Sequence, residues 1–536
     1  MRSSITILVF TSVTTCKVAS QALSGVVSGA NLNTNQPLEG FVSFSIEFSS
    51  FPDFAGNTSN PNEFSNNLLD NLGNLTGTKP YIRVGGNTQD YAIYNADLPI
   101  ALNGTFNLSR SADYPTTIEI GPSFFESYTT WPNVKYSHGF NMGGNNDSRQ
   151  WQTLLDTVPL ACKALGKDRA YGWEYGNEPD LFATSSQGPV RPSSYNESDF
   201  VAEWLNGTRT IKALIEENCP DMAGNDTYGY LAPSFAGTNN HLKAPLALAD
   251  GMDADQDIRF FSSHNYISGA STPGVTLSNT LLNHSRTMSS VAPHLSEHAA
   301  IVASSPPSSV PPLILGEANS LYNEGKPGLS DAFGAALWVL DFNLYCAAAG
   351  VSRVHMHLGT DYRYAAWQPV DTGRYPAATK PPYYGSVAVA AFLGDAAAAA
   401  RVANLPLADG AREAAYAAYV DGALARLMVV NLRPYNYSMN GTGVGLNEEP
   451  RPVRTYSFDV GLGNGTGALV RRLVANGSDA VAGITWDGVS YDYELAMGKP
   501  VRLGNVTVGE RVNVSDGVVE VGVADSQAVM LDFGAV

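Results

Sequence analysis

The sequence predicts an α/β protein, a (β/α)8 TIM barrel followed by an antiparallel β sandwich. Three observations predict it. Between about residues 40 and 400, apolar strand-like runs alternate with helical patterns. Those runs number eight, the count a closed parallel barrel needs. After about residue 402 the texture changes to short alternating strands broken by Gly, Asn and Asp. The eight runs are FVSFSIEF (41–48), YIRVGG (81–86), VKYSHGFNM (134–142), AYGWEYGNEP (170–179), YGYLAPSFAG (228–237), DIRFFSSHNYI (257–267), LILGEANS (313–320) and VSRVHMHLG (351–359). Between them, Phe200–Cys219 sets Val201, Trp204, Leu205, Ile211, Leu214 and Ile215 roughly on one helical face. Asp331–Gly350 reads as a long apolar helix with Asp331 as cap and Gly350 as stop. A doubly wound open sheet satisfies the same alternation and is the competing architecture. The later strands are AAYAAYV, ARLMVVNLR, RTYSFDVGL, ALVRRLV, VRLGNVTV and AVMLDF. The expected division is a signal peptide at 1–20, the barrel at 21–402 and the sandwich at 403–536.

Composition bounds the partners. With 44% hydrophobic and 15% charged residues, the 536-residue chain has the make-up of a packed globular protein. Acidic residues outnumber basic ones 50 to 32, and the net charge of −18 repels nucleic acid, anionic membranes and long polyanions. One acidic sugar is not excluded, because a local site outweighs a distant field under salt screening. Arg2, the apolar run Ile5 to Val13 and the small residues around Ala19 to Ala22 form a secretory signal. About fifteen Asn-X-Ser/Thr acceptors, among them Asn57, Asn103, Asn206, Asn283, Asn440 and Asn505, fit a secreted, extracellular protein with N-linked glycans. No later apolar run approaches the roughly 20 residues a bilayer requires. Of the four cysteines, Cys16 lies in the signal. Cys162 and Cys219 fall near helix ends where a disulfide is an option, and Cys346 reads as a buried thiol.

Two motifs carry chemistry. Asn177-Glu178-Pro179 follows YGWEY within the fourth run, and Gly316-Glu317-Ala318 follows PPLIL in the seventh. They are about 140 residues apart in sequence, yet strands four and seven of one barrel face each other across its mouth. Glycosidic cleavage needs two such carboxylates, one protonated to supply the leaving oxygen and one ionised to attack or to activate water.

YGWEYGNEPD together with LILGEANSLY resembles glycoside hydrolase family 79, in a large clan of barrel hydrolases with catalytic Glu on strands four and seven. The resemblance covers the mature chain and implies a retaining β-glucuronidase with Glu178 as acid/base and Glu317 as nucleophile. It also implies that a strand near Leu23–Val27 can join the sandwich rather than the barrel. Asn177 is implied to bind the sugar 2-hydroxyl, and Tyr322 the uronic carboxylate, with Tyr364 or its neighbour Tyr362 as a second donor. From position, Tyr266 at the end of the sixth run can donate to the nucleophile, and His264 lies on the same face, where core packing suits it equally. Glu47 is an acidic residue in an apolar strand, so a sugar-hydroxyl contact is an attractive way to satisfy it. Arg83 reads as a support for the catalytic carboxylates. Asn87 and Asp90 lie in the loop after the second run, within reach of sugar or of solvent alone. His355 and His357, and His294 and His298, have metal-like spacings without a third ligand, so no metal or cofactor is expected.

The expected substrate is a carbohydrate bearing terminal β-glucuronic acid, free or 4-O-methylated. One rival is a heparanase-type endo-β-glucuronidase, which wants basic clusters that this acidic chain lacks. Another is a non-catalytic carbohydrate-binding protein, which has no need of both Glu178 and Glu317.

Overall fold

The computed structural model describes residues 23–26, 34–144, 148–185, 188–224, 226–304, 310–441 and 443–534. The expected signal peptide and Cys16 lie outside them. Eight parallel strands close a barrel in chain order: Val42–Glu47, Ile82–Gly85, Tyr136–Phe140, Ala170–Tyr175, Tyr230–Phe235, Ile258–Gly269, Leu313–Tyr322 and Arg353–Leu358. Closure is made by the eighth strand on the first, with Val354 opposite Val42 and Leu358 opposite Ile46. The open-sheet alternative is thereby excluded. Six of these strands are buried along their whole length, because helices cover one side and packed side chains fill the other.

In the sandwich, strands such as Glu413–Val420 and Ala423–Asn431 are apolar at nearly every position for a structural reason. Its wide sheet contains Arg401–Leu405, Glu413–Val420, Ala423–Asn431, Gly467–Val474 and Gln527–Asp532. Along one strand, Leu427 and Val429 face a core shared with Tyr456, Phe458 and Val519 of the second sheet. Their neighbours Met428 and Val430 face the other way, into the barrel's core. The period-2 alternation of side chains therefore feeds two cores from one sheet. The second sheet orders Leu23–Val26, Val453–Asp459 and Val518–Ala524, and Leu23–Val26 pairs in parallel with Val453–Asp459. The sandwich is thus antiparallel except at this N-terminal strand. VRLGNVTV contributes only Val501–Arg502 as strand.

Helix Phe333–Ala349 lies between the two domains and is buried on nearly all sides. Gly350 ends it in the left-handed region, as expected, but its N-cap is Ala332. Asp331 instead accepts the N–H of Gly328, so its carboxylate closes the preceding turn rather than capping the helix. Cys162 and Cys219 form a disulfide that ties helix Ser148–Arg169 to the end of helix Glu197–Asn218, and Cys346 is a buried free thiol. Among the described residues no helix is long and apolar enough to cross a membrane.

Candidate active site

The fourth barrel strand ends in a sharp sequence of backbone states. Gly176 has φ 84°, and a Cβ there would meet Met142 at 2.9 Å. Two residues on, Glu178 holds φ 52° and ψ 48°, a left-handed state that is uncommon away from glycine. Pro179 then opens a short 3-10 turn. The Glu178 N–H is held by the Ser234 carbonyl at 3.0 Å. Glu317 comes from within the seventh strand, which runs on to Tyr322. Gly316 before it is required by crowding, since a Cβ would meet Ser262 Oγ at 2.2 Å.

These two strands bring the carboxylates together. Ligand atoms of Glu178, His264 and Glu317 all lie within 4.8 Å of one another. Glu317 is tied on both oxygens: Tyr266 donates to Oε1 at 2.7 Å and Arg83 Nη1 to Oε2 at 2.7 Å. His357 Nδ1 stands 3.6 Å from the same Oε2. Burial pushes the Glu317 carboxyl up, but His357, His264, Arg83 and the Tyr266 hydroxyl together pull it well below the usual carboxylate range. Glu178 has the opposite tuning. Burial raises it, the negative Glu317 raises it further, and Arg83 and His357 offset only part.

Arg83 organises the floor. Its guanidinium is completely buried and spreads over Glu317, Asn177 Oδ1 at 2.7 Å, Ser45 Oγ at 2.9 Å and Glu174 Oε2 at 2.8 Å. Ser234 Oγ donates to the other Glu174 oxygen at 2.5 Å. His264 Nδ1 lies 2.9 Å from Glu178 Oε1, and burial lowers the imidazole to about 4, so the ring is neutral. Its Nε2 has no partner among the described residues, which favours the tautomer with the proton on Nδ1, facing Glu178.

Several expected residues meet in this cluster. Asn177 receives Arg83 and gives one amide N–H to Asn87 Oδ1 at 2.9 Å, and the other has no acceptor among the described residues. The Tyr364 hydroxyl is 3.5 Å from that of Tyr266. Glu47 is satisfied differently from the expectation. Thr88 donates to Oε1 from backbone and hydroxyl, while His357 Nε2 and the Tyr362 hydroxyl approach Oε2 at 3.3 Å. Protein donors therefore offset its burial without a sugar. Asp90 has protein partners of its own. Its carboxylate accepts the backbone N–H groups of Met142, Gly143 and Asn177, and so braces the loop that carries Asn177. Burial pushes Asp90 up to about 6 against the pull of those amides. Tyr322 stands apart at the rim, 48% exposed, with its ring over Gly269.

Of the two histidine pairs, His357 belongs to the site and the other three make structural contacts. His294 meets Ser263 Oγ at 2.8 Å, His298 the Pro311 carbonyl at 2.9 Å, and His355 stacks on Tyr171. A cation could be held by Glu178, His264 and Glu317, but these are the paired carboxylates, and the charged Arg83 beside them opposes it. Glu174, Ser45, Thr88 and Ser234 are site residues that sequence reasoning passed over. An acidic residue inside the buried run AYGWEY, parallel to Glu47 in the first strand, is the one signal that could have found Glu174.

Similarity to known proteins agrees with this geometry. Residues 415–530 match the glycosyl hydrolase family 79 C-terminal beta domain. A Neurospora crassa protein named beta-glucuronidase is 56% identical, over 92% of this chain and 92% of its own. An Aspergillus niger protein of the same name is 52% identical, over 92% of this chain and 91% of its own. A crystal structure from Fusarium oxysporum 12S, a 4-O-α-L-rhamnosyl-β-D-glucuronidase with bound Rha-GlcA, superposes with a TM-score of 0.75 at 26% identity. The match covers 95% of this chain and all of that one.

Proposed function

The chain belongs to glycoside hydrolase family 79, and from that premise we propose that it is a secreted, retaining exo-β-glucuronidase releasing terminal glucuronic acid, free or 4-O-methylated. The observation that carries the reading is the opposite tuning of two carboxyls, an oxygen of one lying within 4.8 Å of an oxygen of the other. Retention needs carboxyl groups about 5–5.5 Å apart, whereas inversion leaves roughly 6.5–9.5 Å for a water. Glu178 keeps its proton for the leaving oxygen, and ionised Glu317 attacks the anomeric carbon. Water then enters with Glu178 as base and cleaves the glycosyl ester.

The supporting roles follow from the contacts. Tyr266 and Arg83 hold Glu317 ionised and aimed. His264 orients Glu178. The free amide N–H of Asn177 meets the sugar 2-hydroxyl. Tyr364 inside the cluster and Tyr322 at the rim donate to the uronic carboxylate without adding formal charge. The net charge of −18 favours exo action on one acidic unit over endo action on a polyanion. Exposed acceptors such as Asn57, Asn103 and Asn206 support secretion with N-linked glycans. A panel of aryl β-glycosides tests the reading. Glucuronide hydrolysis should exceed glucoside and galactoside hydrolysis, and equal rates on all three would overturn the sugar assignment.

A further inference from the structure

Arg83 is a cation shut away from water, and it faces two carboxylates rather than one. It reaches Glu317 at 2.7 Å and Glu174 at 2.8 Å. Glu174 lies on the fourth strand and is 1% exposed. Both of its oxygens are taken by protein donors, Arg83 on one and Ser234 on the other. It therefore does not bind substrate, and the two-carboxylate reaction gives it no task.

The reaction itself supplies one. When a Glu317 oxygen attacks the anomeric carbon, the bond from that carbon to the leaving oxygen breaks. Its electron pair stays with the leaving oxygen, which takes the proton of Glu178. Glu317 becomes a neutral ester. Arg83 cannot release its proton to compensate. A buried charge stripped of its partner is strongly destabilising, so a lone Arg83–Glu317 pair would resist the step it is meant to assist.

We propose that Glu174 is a positioning residue that stays with Arg83 as a permanent counter-charge, keeping the guanidinium compensated both before and after Glu317 is esterified. This rests on the retaining assignment of Glu178 and Glu317. The charged or titratable groups around Glu174 come from every neighbouring element: Arg83 from strand two, His264 from strand six, Glu317 from strand seven, Asp90 from the second connection, and Tyr171 and Glu178 from its own strand and its extension. Arg83 is the permanent cation of this set, since burial holds His264 neutral. Ser234 fixes Glu174 from the side away from Arg83.

The test is Glu174→Gln, which keeps the shape and removes the charge. The first readout is the rate of covalent labelling of Glu317 by a 2-deoxy-2-fluoro-β-glucuronyl fluoride, whose fluoride leaves without a proton from Glu178. Labelling should slow roughly tenfold to a hundredfold. The second readout is the pH profile of hydrolysis, which should move toward lower pH, because removing a negative charge favours ionised Glu317 and ionised Glu178. Glu174→Asp should restore the position of the profile. Both changes are required, and a folded Gln variant lacking either overturns the proposal. If that variant does not fold, Ser234→Ala loosens Glu174 against Arg83 while keeping its charge, so labelling should slow at smaller amplitude with the pH profile left in place. Unchanged labelling there overturns the proposal equally. Wild-type protein that takes no label at all refutes the retaining mechanism instead, an outcome distinct from either.

Discussion

The peptide N–H of Glu178 donates to the carbonyl of Ser234 across 3.0 Å, and both residues hold left-handed backbone, φ 52° and 55°. Each such state costs on the order of 1–3 kcal/mol and persists where surrounding structure over-determines it. Here the surroundings are the crowded Gly176 before Glu178 and Pro179 after it, with the Ser234 hydroxyl anchored on Glu174. The strained strand end aims one carboxyl across the barrel mouth at the other.

Glu178→Gln and Glu317→Gln should each fold normally and lose most turnover, roughly a hundredfold or more. The Glu178 variant should keep more activity on glucuronides with activated leaving groups, which need no proton. Comparing 2,4-dinitrophenyl and phenyl glucuronides checks this. Equal losses on both would remove Glu178 from the role of acid.

Glu178 also links stability to pH. Its folded pKa is raised, chiefly by burial and then by Glu317. A raised pKa means stability fully present below the unfolded carboxylate value and lost as pH rises through the folded one. Glu178→Gln cannot ionise, so its melting temperature should match the wild type in acid and exceed it at weakly alkaline pH. Thermal unfolding at both pH values is the measurement, and a constant difference would contradict the assignment. Activity should follow a bell, with loss of the Glu178 proton as its alkaline limb and protonation of Glu317 as its acid limb.

Tyr266→Phe removes the 2.7 Å donor to Glu317. Hydrogen bonds to charged groups contribute about 1.5–3 kcal/mol, so kcat/KM should fall roughly tenfold to a hundredfold. Because the lost donor favoured the ionised nucleophile, the acid limb should move to higher pH. A rate loss with a fixed acid limb would reduce Tyr266 to packing.

Sugar choice should separate Tyr364 and Tyr322 from the rest of the cluster. Each change to Phe should cost roughly tenfold to a hundredfold on a glucuronide and little on a glucoside, which has no carboxylate to miss the donor. Tyr322 is the sharper test, since it is half exposed and touches neither catalytic carboxylate by any hydrogen bond among the described residues. Equal loss on both sugars would mean that these hydroxyls position the machinery.

All eight barrel strands and both carboxylates were legible in the sequence because each is a local signal. A buried strand is a run of apolar residues, and Asn177-Glu178-Pro179 sits at the end of one. What stayed hidden depends on partners far along the chain. Arg83 was legible as a support for the catalytic carboxylates, but its second partner Glu174, 91 positions away, was not, and no window contains that choice. Asp90 reads as a loop acid until the chain folds three backbone amides against it. Glu47 was visible as an anomaly, yet its solution lay in Thr88, His357 and Tyr362. Arg401–Leu405 escaped as a strand because its five residues become one only by pairing with Glu413–Val420.

The central claim is double displacement by Glu178 and Glu317, and the configuration of the first-formed product tests it most directly. Proton NMR during hydrolysis of an aryl β-glucuronide distinguishes the anomers before they interconvert. Two carboxylates with oxygens within 4.8 Å predict β-glucuronic acid as the first product, with the α anomer rising later by mutarotation. Initial release of the α anomer would contradict the account, because it requires water, not Glu317, to attack the anomeric carbon first.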